Sequence, residues 1–167
     1  MFDRLVMGVD PGLAATGVAV VAGGSGGAAG VVCAATLRTH PGSPEAERLR
    51  TLFHELMAAM TRHRPKALAV ERLMWGRNVG SAMSVSRASG VVLLAAAEAA
   101  VPVFEYAPLE VKMAVTGNGA AAKTEVRLAL ERLHGVADLP QEPDAADAVA
   151  VALCHLHQSR VLRQVAR

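Results

Sequence analysis

Apolar residues from Leu5 to Val9 run unbroken into Asp10-Pro11-Gly12, the pattern of a buried strand that stops at a turn. Gly17 to Val21 reads as a second strand, and Gly30 to Thr36 as a third beyond the glycine-rich tip at 23–27. Three strands joined by short turns predict an antiparallel meander, closed by the loop His40-Pro41-Gly42-Ser43-Pro44. The period then changes. Leu49, Leu52, Phe53, Leu56, Met57 and Met60 recur at helical spacing and predict an amphipathic helix from Glu45 to His63, stopped by Pro65. Ala67 to Val70 is a compact strand ending at Glu71. Ser81 to Ala100 is an alanine-rich helix with a possible break at Gly90. Pro102 to Tyr106 is a fifth strand. Helices are predicted over Pro108–Val115, Lys123–Leu133 and from Pro143 to about Gln164.

A meander followed by alternating strand and helix predicts an α/β fold: a mixed five-stranded sheet flanked by helices. Helical crossovers make the fourth and fifth strands parallel to the first. The chain has 167 residues, 52% of them hydrophobic and 19% charged, enough for one domain with a substantial core. No repeat or linker divides residues 1–167, and a basic tail begins at about 160. With 3% aromatic residues, the core is built from Ala, Val, Leu and Met. No apolar run reaches the roughly 18 residues of a membrane span, and the first residues lack a signal-peptide layout. A cytoplasmic protein without a membrane partner is expected. Two cysteines, Cys33 and Cys154, are too few for a disulfide scaffold or a four-cysteine zinc site.

A net charge of +2 says little about partners. Its distribution says more. There is no acid from Arg72 to Ala97, where Arg77 and Arg87 also lie, and none after Asp147. Either a solvated face or an anionic partner accounts for this.

Candidate chemistry lies in the acids. Taken alone, Asp10 before Pro11-Gly12 is a turn residue whose side chain bonds the backbone. Glu71 also ends a buried strand, however. If the two strands are adjacent and parallel, the carboxylates face each other and repel unless a cation joins them. Asp144 and Asp147, three apart in Pro143-Asp144-Ala145-Ala146-Asp147-Ala148, share one helix face. Acids in a first helical turn also complement the helix dipole. The alanines between them leave room for another group to approach. All four together are hard oxygen donors suited to Mg²⁺ or Mn²⁺. Two such ions about 4 Å apart are the standard device for phosphodiester hydrolysis. His155 and His157, with Cys154, are poorly spaced for a metal on a helix and are expected to be partly buried or on the surface.

Gly8-Val9-Asp10-Pro11-Gly12 with Thr16-Gly17, Ala69-Val70-Glu71 and Asp144-Ala145-Ala146-Asp147-Ala148 resemble the RuvC family of bacterial Holliday-junction resolvases. The stretch Asn78 to Gly90 and the strand Val103-Phe104-Glu105-Tyr106 are similar too. The resemblance implies a ribonuclease H-like fold and a homodimer that nicks two opposed strands of a four-way DNA junction with Mg²⁺ or Mn²⁺. It also implies a RuvA-RuvB branch-migration complex as companion. The implied catalytic and metal-binding set is Asp10, Glu71, Asp144 and Asp147. Some family members carry His where this chain has Asp144. Lys112 and Lys123 match family lysines tied to DNA binding or catalysis. The family's base-probing aromatic aligns with Met74, with Trp75 beside it, a departure. Arg72, Arg77, Asn78 and Arg87 are the remaining expected DNA contacts. Trp75 stacks on an unpaired base or packs against protein.

The apolar helix Ser81–Ala100 has too few polar residues for a free surface, so part of it is expected to form the dimer interface, a plain core helix being the other reading. A phosphotransferase of the actin and sugar-kinase type shares the first motif but needs two domains, for which the chain is too short. A YqgF-type ribonuclease H-like nuclease and an inactive junction-binding module remain as alternatives.

Overall fold

A computed structural model describes residues 4–24, 29–73, 79–136 and 139–165. Strands β1 (Arg4–Asp10), β2 (Ala15–Gly23) and β3 (Ala29–Arg38) precede helix α1 (Glu45–His63). Then come β4 (Ala67–Glu71), α2 (Val79–Glu98), β5 (Val103–Tyr106), α3 (Pro108–Thr116), α4 (Lys123–Arg132) and α5 (Pro143–Val165). The sheet runs β3-β2-β1-β4-β5. β1 to β3 form the expected antiparallel meander, while β4 and β5 lie parallel to β1.

The alternation of side chains along each strand divides the core into two layers. Met7, Val9, Val18, Val20, Leu68 and Val70 face α1 and α2, where they meet Leu52, Leu56, Met60, Val92 and Ala96. Val6, Ala19, Val21 and Ala69 point the other way, onto Val149, Ala152, Leu153 and the α3 and α4 side chains. α1 ends where Arg64 turns left-handed at φ 47° ahead of Pro65. α3 and α4 each start with a glutamate reaching back to a backbone N–H: Ala107 N–H donates to Glu110 Oε2 (2.7 Å) and Ala122 N–H to Glu125 Oε2 (2.6 Å).

The possible break at Gly90 does not occur, and α2 is continuous through it. A Cβ at Gly90 would meet nothing within 4 Å. Ala88, Val92, Ala95 and Ala96 are buried against the sheet, so packing on the opposite face holds the helix through its weakest residue. Of the described helices, none is long and apolar enough to cross a membrane.

Candidate active site

Asp10 is the last residue of β1 and Glu71 the last of β4. The parallel register pairs Val9 with Val70, so the two acids leave the sheet side by side. The turn after Asp10 is fastened by Thr16, which is fully buried. Its hydroxyl donates to Gly12 O at 2.6 Å and accepts from Gly12 N–H at 3.3 Å. Thr39 Oγ1 donates to Leu13 O, and Arg48 Nε donates to that hydroxyl at 2.8 Å. The backbone beyond Asp10 is thus held from two neighbouring elements.

Asp144 and Asp147 arrive on the first turns of α5, which crosses β1 and β2. The crossing is unusually close because Gly8 and Gly17 have no side chains. A Cβ on Gly17 would strike the carbonyl oxygen of Asp144, and one on Gly8 would strike Ala148 O and come within 2.8 Å of Ala152 N. Of the two alanines between the acids, Ala145 packs against the sheet at Gly17, and Ala146 lines a cleft beside Asp147.

Electrostatics tie the four acids together. Burial, reinforced by the charges of Glu71, Asp147 and Asp144, pushes the Asp10 carboxyl up to about 7. Burial, then the charge of Asp147, also raises Glu71. Lys123 opposes both shifts, and Lys112 opposes that of Glu71. Lys123 Nζ donates to Asp147 Oδ2 at 2.6 Å. As they stand, no three acid, His or Cys side chains among the described residues are grouped closely enough to hold an ion. The donor set nevertheless fits a hard divalent cation: four carboxylates, the two at the strand ends raised by burial and then by neighbouring acids, and no thiol or imidazole among them.

Two clefts flank the cluster. One of about 370 Å³ is lined by Glu71, Arg72, Ser86, Ser89, Leu93 and Glu105. The other, about 330 Å³, is lined by Lys123, Thr124, Val126, Leu130, Pro143 and Asp147. Arg72 lies 3.7 Å from Glu110, and Arg87 is engaged by Glu45 of α1 at 2.7 Å. Met74, Trp75, Arg77 and Asn78 fall outside the described residues. His155 is buried rather than partly buried or on the surface, because Tyr106 Oη supplies a partner for its Nδ1 at 2.7 Å. His157 bonds Ala114 O, and Cys154 is buried; neither joins His155 in a metal site.

The fold defines a class, the ribonuclease H-like α/β proteins, here with acids at the carboxyl ends of β1 and β4 and at the start of α5. The family model described as "Crossover junction endodeoxyribonuclease RuvC" matches residues 6–155, and the chain belongs to that family of metal-dependent nucleases. It is similar to the crossover junction endodeoxyribonuclease RuvC of Pelotomaculum thermopropionicum, at 46% identity over 92% of this chain and 93% of the relative. A solved structure of T. thermophilus RuvC in complex with Holliday junction substrate superposes with a TM-score of 0.87 at 38% identity, covering 95% of this chain and 96% of that one. The yeast mitochondrial Holliday junction resolvase Ydc2, at 12% identity and a TM-score of 0.71, shares the fold.

Proposed function

We propose that the protein resolves four-way DNA junctions, with Asp10, Glu71, Asp144 and Asp147 holding two Mg²⁺ or Mn²⁺ ions at each site. The observation that carries this reading is the meeting of four acids from β1, β4 and α5 in one charge field, with Lys112 and Lys123 beside them. When bound, the ions supply an activated water and a counter-charge for the departing 3′-oxygen. The chain's own residues do the rest. Asp10 and Glu71 are fixed at strand ends that cannot retreat, so they set where the scissile phosphate sits. Asp144 and Asp147 close the site from α5. Lys112 and Lys123 draw the phosphate in and offset its charge. The phosphorus–O3′ bond breaks as the water oxygen adds, leaving a 5′-phosphate and a 3′-hydroxyl.

Arg72 and Arg87, both exposed, are outer phosphate contacts in this reading, and Met74, Trp75, Arg77 and Asn78 meet the bases or backbone at the crossover. Paired nicks need two sites, hence a homodimer. Met83 (47% exposed) and Leu94 (52% exposed) support α2 as its interface, since large apolar side chains on one helix face call for cover. The protein works in the cytoplasm, with a RuvA-RuvB branch-migration complex as companion. Asp10→Asn tests the reading: it should bind a four-way junction normally and fail to cut it. Loss of binding as well would make Asp10 a structural residue and contradict the reading.

A further inference from the structure

Asp147 is mostly withdrawn from solvent, while the lysine that holds it is 74% exposed. Nothing in the lysine's own helix accounts for this placement. Lys123 is the first residue of α4, where the helix dipole disfavours a cation. What draws it inward is the hydrogen bond to Asp147, with further attraction from Asp10 and Glu71. The arrangement is therefore an internal cation on an oxygen that a metal ligand has to present. From these contacts we infer that Lys123 is an exchangeable stand-in: it occupies Asp147 in the metal-free protein, is displaced by the arriving divalent cation, and then turns to a substrate phosphate.

The physics of the exchange is simple. An ion pair whose ammonium is largely solvated is weak and yields to a divalent competitor. A divalent cation on Asp147 repels the ammonium at short range. The displaced side chain has room beside it, in a cleft of about 330 Å³ lined by Thr124, Val126, Leu130 and Pro143 and by Arg127, whose own charge is met by Glu131. A phosphate at the site is then the nearest uncompensated anion. One lysine thus couples two ligands: metal frees it for DNA, and DNA, by holding it, leaves Asp147 to the metal. Lys112 makes a natural control, since it acts on Glu71 by charge alone. The exchange rests on the four-carboxylate reading above, and Lys123 is a positioning residue in it until it meets the phosphate.

The chain has three lysines, Lys66, Lys112 and Lys123, so their side-chain NMR signals can be assigned by single substitutions. The ε-carbon and ζ-nitrogen signals of ¹³C,¹⁵N-lysine-labelled protein are followed during Mg²⁺ addition without DNA, with calorimetry reporting metal binding. Expected is a shift of Lys123 from a hydrogen-bonded to a free ammonium, saturating together with the calorimetric signal, while Lys66 stays still. In parallel, Mn²⁺ should bind Lys123→Met about fivefold more tightly than wild type, and Lys112→Met by clearly less. Metal saturation with an unmoved Lys123 signal, or no gain in Lys123→Met beyond that in Lys112→Met, overturns the exchange and leaves the carboxylate site standing. No binding of either metal by wild type overturns the site itself.

Discussion

The α-carbon of Gly17 lies so close to the carbonyl oxygen of Asp144 that no side chain fits between β2 and α5. This contact joins strand to helix where the helix delivers its two acids. Gly17→Ala should therefore lift the start of α5 away from Asp10. Overpacking of this kind costs about 2–3 kcal/mol, read as a lower urea midpoint. Cleavage should fall by at least tenfold, because the acids no longer meet. A Gly17→Ala protein with unchanged activity would contradict this account of the site's assembly.

A buried carboxylate with other acids beside it costs stability when no cation is present. The folded pKa of Asp10, about 7, lies above its ordinary 3.8. The folded protein therefore holds a proton that the unfolded chain has lost, and stability falls as pH rises through that window. Above pH 7 the penalty is fully expressed. In a chelator at pH 8, Asp10→Asn should be more stable than wild type by about 2–4 kcal/mol, and the gap should shrink by pH 5. Saturating Mg²⁺ should narrow or reverse the order by stabilising wild type selectively. Chemical denaturation at both pH values, with and without Mg²⁺, checks this.

His155 has the opposite sign. Burial lowers its pKa, so it folds as the neutral imidazole. Burial also pushes Tyr106 up to about 12, so its hydroxyl stays protonated beside the His155 Nδ1 it pairs with at 2.7 Å. The unfolded histidine takes up a proton near its ordinary value of 6.5, whereas the folded one resists. Its contribution is fully present above pH 6.5 and is lost as pH falls through that value toward the lower folded pKa. The stability difference between wild type and His155→Gln should accordingly shrink between pH 7 and pH 5. Tyr106→Phe should cost about 1 kcal/mol at neutral pH.

Met83 and Leu94 give the dimer reading its test. Leu94→Glu should convert the protein to a monomer in sedimentation experiments. In an isolated monomer a surface change of this kind would move stability by no more than about 0.5 kcal/mol. The variant should nick junctions on single strands, with the paired cuts uncoupled. A Leu94→Glu protein that sediments as wild type would remove α2 from the interface.

Local signals made most of the fold legible. α1 matches its expected span because its apolar stripe and Pro65 are both local. Asp10 and Glu71 could be paired on paper because two buried strands ended in acids and the crossover rule set them parallel. What stayed hidden depends on contacts between distant parts of the chain. Gly8 and Gly17 stood in the sequence motif, but their work is to admit α5, more than 120 residues away. His155 could not be placed in the core without its partner Tyr106, 49 residues earlier. Gly90 suggested a break by propensity alone, whereas packing on the far face of α2 decides the outcome. The bond between Lys123 and Asp147 crosses 24 positions, and nothing in either residue's neighbourhood announces it.

The most direct test of the central claim uses a labelled four-way junction, incubated with protein and Mg²⁺ or Mn²⁺ beside a linear duplex and an Asp144→Asn control. Symmetric paired nicks on the junction alone, carrying 5′-phosphates and absent from the control, are the predicted result. Tight junction binding without cutting in either metal would contradict the claim and leave an inactive binding module. Neither binding nor cutting would remove the junction from the account altogether.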